Sequence, residues 1–115
     1  MGKNINVDYK NQHFTLEFNR EAIKLLEAES ISVNDIEAYF KGKSKKNITI
    51  LSAFVHRSFY MHHKEVSEDL AMEIFESIPN KDEFLIALVE IYTEPIVAIS
   101  SNKGDEGNVS WGLNK

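Results

Sequence analysis

The sequence predicts a mainly α-helical α+β fold, in which an N-terminal β-hairpin packs on a bundle of four to five helices. Apolar residues alternate with polar ones over residues 4–18, which is the period of a β-strand. Over much of 19–100 they recur every three or four positions, which is the period of an α-helix. Because 115 residues suffice for one modest core, we expect a single globular domain over 1–100, followed by a flexible polar tail over 101–115.

The first predicted element is a hairpin whose strands flank the polar segment Lys-Asn-Gln-His at residues 10–13. A two-residue turn at Asn11 and Gln12 would place Tyr9 opposite Phe14. Since an isolated hairpin is only marginally stable in water, helices are expected to cover its apolar face. In this register one face carries all the alternating apolar side chains: Ile5, Val7, Tyr9, Phe14, Leu16 and Phe18.

Two short helices are predicted after the hairpin. Asn19 is expected to cap the first, because its side chain can accept a backbone N–H, and Glu21 in the first turn complements the helix dipole. Either Ser32 or Asn34 starts the second helix, and Gly42 ends it. The apolar positions of the two helices are Ala22, Ile23, Leu25, Leu26 and Ala28, followed by Ile36, Ala38, Tyr39 and Phe40.

A long third helix is predicted over 47–64, because this stretch contains neither Gly nor Pro and its apolar positions fit a 3.6-residue period. Ser67 is expected to cap a fourth helix, which Pro79 ends. The apolar face of the fourth helix carries Leu70, Ala71, Ile74, Phe75 and Ile78.

The last predicted helix begins at Asn80, which forms a capping-box-like pair with Glu83, and Pro95 is expected to kink or break it. Residues 84–92 are apolar nearly all round, so this helix is either buried on several sides or committed to a partner. The candidate partner-binding residues of the third and last helices are Leu51, Phe54, Val55, Phe59, Phe84, Leu85, Leu88, Val89, Ile91 and Tyr92.

Charge and composition exclude several classes of function. The net charge is −5, so binding of nucleic acid by the whole chain is not expected. The absence of cysteine excludes disulfides and thiol catalysis. The most apolar run, 84–99, contains Glu90, Glu94 and Pro95, which favours a buried helix over a membrane span. A basic loop over 41–46 could form a charged rim or contact phosphate through Lys41, Lys43, Lys45 and Lys46.

The segment HRSFYMHHKE, residues 56–65, holds three of the four histidines. A helical metal pair requires a spacing of three or four, whereas His56 and His63 are seven apart and His62 is adjacent to His63. We interpret His62, His63 and Lys64 as cationic groups at a helix C-terminus. We therefore expect no catalytic residue, no metal and no cofactor. A pH-responsive interface and a metal-dependent enzyme that uses these histidines are the alternatives.

The order of these features resembles that of the tail assembly chaperones of long-tailed bacteriophages and prophages. The resemblance covers residues 4–99 and contains no catalytic motif. It rests on an N-terminal strand–turn–strand unit that leads directly into helices. The segments that carry it are INVDYKNQHFTLEFN, REAIKLLEAE, VNDIEAYFKG, ILSAFVHRSFYMHH, SEDLAMEIFESI and KDEFLIALVEIYTEPI.

The resemblance implies a non-enzymatic protein that binds the phage tape measure protein, keeps it soluble and helps to recruit major tail tube protein subunits during tail assembly. It implies a location in the cytoplasm of the bacterial host and absence from the mature virion. A homo-oligomer is compatible with the apolar last helix. The alternative from another class is a small phage regulatory or nucleic-acid-associated protein that uses the basic loop.

Overall fold

The computed structural model describes residues 3–43 and 47–100, in which two strands precede five helices. The predicted fold class, α+β and mainly α, is therefore confirmed. The expected flexible tail over 101–115 lies outside the described residues. The elements are β1 (Ile5–Tyr9), β2 (Gln12–Leu16), α1 (Arg20–Ala28), α2 (Val33–Phe40), α3 (Asn47–Phe59), α4 (Glu68–Ser77) and α5 (Lys81–Ser100).

The hairpin forms, but its turn lies one residue earlier than predicted. Lys10 and Asn11 occupy the turn with φ of 48° and 65°, the backbone of a type I′ turn, and Tyr9 therefore pairs with Gln12 and not with Phe14. Because the pairing shifts by two residues, each side chain keeps its face. Phe14 and Leu16 are accordingly buried, as expected for a hairpin face that helices cover.

Short polar side chains start three of the helices as the sequence predicts. Asn19 Oδ1 accepts the Ala22 N–H at 2.8 Å and starts α1. Ser32, rather than Asn34, caps α2, and a capping box forms because the Asp35 carboxylate accepts the Ser32 N–H at 2.7 Å. Ser67 caps α4 through the Leu70 N–H.

Gly42 ends α2 as predicted, and the geometry gives the reason. Its φ of 70° lies in the left-handed region, which glycine adopts without a Cβ penalty. The Gly42 N–H donates to the Tyr39 carbonyl at 3.1 Å, and the Lys43 N–H donates to the Ala38 carbonyl at 2.8 Å. These two bonds form a Schellman motif, which satisfies the last carbonyl groups of the helix.

The last helix begins where predicted but continues past its proline. Asn80 immediately precedes α5 and its carbonyl accepts the Phe84 N–H, as that of an N-cap residue does, although its left-handed backbone, with φ of 54°, differs from the extended backbone of a usual N-cap. The pairing of Asn80 with Glu83 stays a prediction. Pro95 does not break α5, which continues to Ser100. Proline costs one backbone donor, and the packing of the preceding turns on the core offsets that loss.

Helix α3 is the centre of the core. Its main contacts are with α1, α2, α4, α5 and β2. Phe54 stacks on Phe18 with 5.1 Å between ring centroids, and Phe59 meets Phe14 edge-to-face at 5.7 Å. The hairpin is thus held against α3 through Phe14 of β2 and through Phe18, two residues after the strand.

Candidate partner-binding surface

The six residues of α5 predicted to bind a partner divide into two groups. Leu88, Ile91 and Tyr92 are buried in the core of this chain. The other three are half-buried, and each packs against the edge of that core: Phe84, Leu85 and Val89. In this conformation a partner can reach these three of the six predicted α5 residues.

The four predicted residues of α3 lie deeper. Phe54, Val55 and Phe59 are almost completely buried, and only Leu51 is half-buried. The Phe54 ring also meets Phe40 edge-to-face at 6.0 Å. These side chains build the core on which any surface of α3 and α5 depends, and a direct role in partner binding stays a prediction.

Aromatic contacts of Tyr92 fix the middle of α5 on the core. Its ring meets Phe18 at 5.3 Å and Phe54 at 5.1 Å, both edge-to-face. Burial raises the pKa of the Tyr92 hydroxyl to about 12, and the nearby carboxylates of Glu27 and Asp35 add to the effect. Tyr92 is therefore neutral at physiological pH and acts as an aromatic core residue.

The outer face of α5 carries apolar side chains that the sequence reasoning did not single out. Ile86 is 62% exposed and Val97 is 58% exposed. They are eleven residues apart, which is close to three helical turns, so they share one face. Glu90 and Thr93 lie between them on that face and are also exposed. The available signal was the run itself, because a helix that is apolar nearly all round exposes apolar residues wherever its neighbours leave one side uncovered.

More exposed apolar residues lie at one end of the bundle. Along the hairpin, Phe59 of α3 meets Phe14 and Phe54 meets Phe18, so α3 runs opposite to β2. The β1 side of the hairpin lies along α5, where residues 5–8 face the first turns of α5 and the Lys3 N–H donates to the Glu94 carboxylate at 3.0 Å. Both the start of α3 and the end of α5 therefore extend past the open end of the hairpin.

The exposed apolar residues at this end are Phe40, Ile48, Val97 and Ile99. Ile48 is 78% exposed and Ile99 is 57% exposed. Phe40 is held in place by edge-to-face contacts with Tyr39 and Phe54. Single exposed apolar residues are ordinary on a soluble domain, but several at one end of a helical bundle are typical of a protein interaction site.

The predicted basic rim is only partly described. Lys41 and Lys43 are exposed, whereas Lys45 and Lys46 lie outside the described residues. Lys41 Nζ donates to Glu37 at 2.6 Å, and this hydrogen bond holds the pKa of the Glu37 carboxyl below its ordinary value. The positive charge of Lys41 is thus partly compensated within α2 and its C-cap, which weakens it as a phosphate ligand.

His62, His63 and Lys64 lie beyond the end of α3 and not in its last turn as predicted, because α3 ends at Phe59; the histidine in that turn is His56. The His63 N–H donates to the Phe59 carbonyl at 2.8 Å, but its side chain turns to the hairpin. Since a backbone amide can only donate, His63 Nε2 accepts the Thr15 N–H, at 2.9 Å. His62 Nε2 lies 2.9 Å from Glu17 Oε1. The two histidines therefore connect the α3–α4 loop to β2 and the residue that follows it.

His56 has a similar structural partner, because its Nε2 lies 3.0 Å from the Val66 carbonyl. The three histidines of the segment point to three different groups, so they do not converge on a common point. Within residues 3–43 and 47–100, no group of three or more His, Asp and Glu side chains is placed to hold a metal ion. Likewise, no helix described here is long and apolar enough to cross a membrane.

Comparison with known proteins places the chain in one family. A family with the description "Domain of unknown function (DUF5055)" matches residues 1–114, nearly the whole chain. No curated protein and no solved structure matches the chain significantly. The protein therefore belongs to the DUF5055 family of domains of unknown function.

Proposed function

We propose that this protein is a tail assembly chaperone of a long-tailed phage or prophage, which binds helical segments of the tape measure protein. It keeps that long chain soluble and helps to recruit major tail tube protein subunits, without catalysis. It acts in the cytoplasm of the bacterial host and is absent from the mature virion. The order of hairpin and helices, which prompted the resemblance, supports the proposal.

The observation that carries the proposal is the exposed apolar face of α5. Ile86 and Val97 are both more than half exposed and share one face, and Ile99 lies beyond the last buried turn. This face, an apolar stripe that Glu90 and Thr93 interrupt, can receive the apolar face of an amphipathic helix, which is one of the recurring modes of peptide recognition. Binding would bury the stripe and the apolar face of the tape measure segment together.

The acidic surroundings of the stripe fit the need to keep the assembly soluble. Asp82, Glu83 and Glu90 are exposed along α5. Charged groups at the rim of an apolar contact contribute more to specificity and solubility than to affinity. A bound helix with Lys or Arg beside its apolar face would complement these carboxylates.

The test is co-expression of the protein with a helical fragment of the tape measure protein encoded beside it. The parent chain should move the fragment from the insoluble to the soluble fraction. The double variant Ile86→Ser with Val97→Ser should lose this effect, because it removes both exposed apolar side chains from the outer face of α5.

A matched control makes the same chemical change at two exposed apolar residues outside α5, Val33 and Met61. The variant Val33→Ser with Met61→Ser should solubilise the fragment as the parent does. The proposal fails if the parent chain leaves its neighbouring tape measure fragment insoluble. It also fails if the double serine variant, shown by circular dichroism to be folded, solubilises the fragment as well as the parent does.

A further inference from the structure

The outer edges of β1 and β2 differ in whether their backbone N–H groups have hydrogen-bond partners. In an antiparallel pair, residues alternate between those that exchange backbone hydrogen bonds across the pair and those whose N–H and C=O point outward. The two-residue turn makes Tyr9 and Gln12 an exchanging pair, and every second pair follows. The outward-pointing residues are therefore Asn6 and Asp8 on β1, and His13 and Thr15 on β2.

The edge of β2 is covered by the end of α3 and the loop after it. His63 Nε2 accepts the outward Thr15 N–H at 2.9 Å. Two residues further, the Glu17 N–H donates to the Ser58 carbonyl at 2.9 Å. Thr15 and Glu17 are both outward-pointing residues in the alternation that the turn sets, as these bonds require. The Thr15 N–H of this edge and the Glu17 N–H that continues it are thus bonded by the protein itself.

The edge of β1 is open. Asn6 and Asp8 are exposed, and their side chains bond within the hairpin, to Thr15 Oγ1 at 3.2 Å and to His13 Nδ1 at 2.8 Å. Within the part of the chain that the structure describes, their outward backbone N–H and C=O groups have no protein partner. Unpaired backbone groups along a strand edge are a template for another strand.

A groove of about 440 Å³ runs beside this open edge. One wall is β1, residues 5–8, and the other is the α4–α5 corner, residues 77–80, together with the first turns of α5. The apolar side chains that line it include Ile5, Val7 and Phe84. A strand that paired with β1 would therefore place alternate side chains on an apolar floor.

The charge of the groove indicates the chemistry of its occupant. The charged residues that line it are Asp8 and Glu83, both acidic and both exposed. Lys81 lies beyond the groove, at the adjoining corner, where its ammonium donates to the Ile78 carbonyl at 3.0 Å. A segment that carries Lys or Arg beside its apolar residues would complement the groove.

We propose that the open edge of β1 binds an extended peptide segment of a partner protein, which adds to the hairpin as a third strand. Its backbone pairs with the outward groups of Asn6 and Asp8, its apolar side chains face the groove, and its basic residues meet Asp8 and Glu83. Strand addition is a known mode of peptide recognition in which the backbone supplies affinity and alternate side chains supply specificity. The inference does not depend on the proposed function, since it concerns another surface and an extended segment instead of a helix.

The test uses a capped probe peptide, Lys-Val-Thr-Val-Thr-Val-Lys, added to the full-length ¹⁵N-labelled protein and followed by NMR. The amide signals of Asn6 and Asp8 should shift most and in a saturable manner. A peptide of the same sequence with N-methyl groups on all five central residues cannot donate from either edge, so it should bind at least about tenfold more weakly. A peptide with Glu in place of both Lys residues should also bind more weakly.

Two proline variants separate the edges. Asp8→Pro removes an outward N–H from β1 without removing a backbone hydrogen bond within the hairpin, and proline is tolerated at such an edge position. His13→Pro makes the same change on β2, and both variants lose the Asp8–His13 contact equally. Asp8→Pro should weaken the lysine peptide about tenfold or more, whereas His13→Pro should bind it as the parent does.

Several outcomes would overturn the proposal. One is the absence of saturable binding of the lysine peptide up to about 1 mM. Others are equal binding of the N-methylated peptide, or signal shifts that centre on α5 and leave β1 unchanged. A concentration-dependent dimer that Asp8→Pro abolishes and His13→Pro retains would assign the edge to a second copy of this chain, and so also overturn it. If a proline variant does not fold, the comparison of the peptides on the unmodified protein decides alone.

Discussion

Helices α3 and α5 have similarly apolar sequences but use them differently. Six of the 13 residues of α3 are buried, whereas α5 has 20 residues and buries only Leu88, Ile91 and Tyr92 among those described. The cause is the number of neighbours. Helix α3 contacts four other helices and β2, while the main contacts of α5 are with α3 and β1. Apolar content therefore does not measure burial; it sets how much surface must be covered by this chain or by a partner.

The largest expected effect tests the role of α3 as the centre of the core. Phe54→Ala should lower the free energy of unfolding by about 3–5 kcal/mol, because it removes a buried ring that contacts Phe18, Phe40 and Tyr92. Urea unfolding measures the change. Ile48→Ala in the exposed first turn of α3 should change stability by no more than about 0.5 kcal/mol. Similar losses for the two variants would contradict the assignment of Phe54 to the core.

A second prediction compares the two faces of α5 at positions two residues apart. Leu88→Ala should cost about 2–4 kcal/mol, because Leu88 is fully buried. Ile86→Ala removes a similar aliphatic volume from the exposed face and should cost less than about 0.5 kcal/mol. Thermal and urea unfolding of both variants would check this. A loss at Ile86 as large as that at Leu88 would mean that the outer face of α5 is covered in the protein alone, for example by self-association.

A third prediction concerns the polar contacts at the end of α3. Glu17 is only 9% exposed, and His62 is the side chain that bonds its carboxylate. His62→Ala should destabilise the protein by about 1–2 kcal/mol, because it leaves a buried charged group without that partner. His62→Gln can still donate to the carboxylate and should recover much of the loss. Equal losses for Ala and Gln would show that the hydrogen bond contributes little.

The smallest effect at neutral pH is expected for Tyr92→Phe, which keeps the ring in the core. Its effect appears at alkaline pH. Because the pKa of Tyr92 is raised from its ordinary 10.0 to about 12 in the folded protein, the stability that the neutral hydroxyl contributes is complete below pH 10.0 and is lost as the pH rises toward 12. Tyr92→Phe should therefore unfold at a higher alkaline pH than the parent.

Tyr39→Phe is the matched control for alkaline unfolding. Burial also raises the pKa of Tyr39, but this ring is only half-buried. Its replacement should shift the alkaline midpoint less than Tyr92→Phe does. The order of the two shifts, measured by circular dichroism across the titration, distinguishes a core position from a peripheral one. The reverse order would place the better-buried hydroxyl on α2 and not on α5.

Much of the fold followed from short stretches of sequence. The caps Asn19, Ser32 and Ser67 were predicted because each bonds an amide only three residues away. The Gly42 helix end was predicted because a left-handed backbone favours glycine. The candidate site was predicted less well. Most of the residues expected to bind a partner are buried, and Ile86 on the exposed face of α5 was not singled out, because residue type does not tell which side of an all-apolar helix has neighbours.

The sequence by itself determined the fold class, the faces of the hairpin and where three helices begin, since these depend on periodicity and on hydrogen bonds between near neighbours in the chain. The tertiary structure decided the pairing register of the hairpin, because a shift of two residues leaves every side chain on the same face and so leaves the apolar pattern unchanged. It also placed the His63 side chain on Thr15, 48 residues away along the chain. Packing also distinguishes the covered edge of β2 from the open edge of β1, because the groups that bond the β2 edge come from Ser58 and His63, which are distant along the chain.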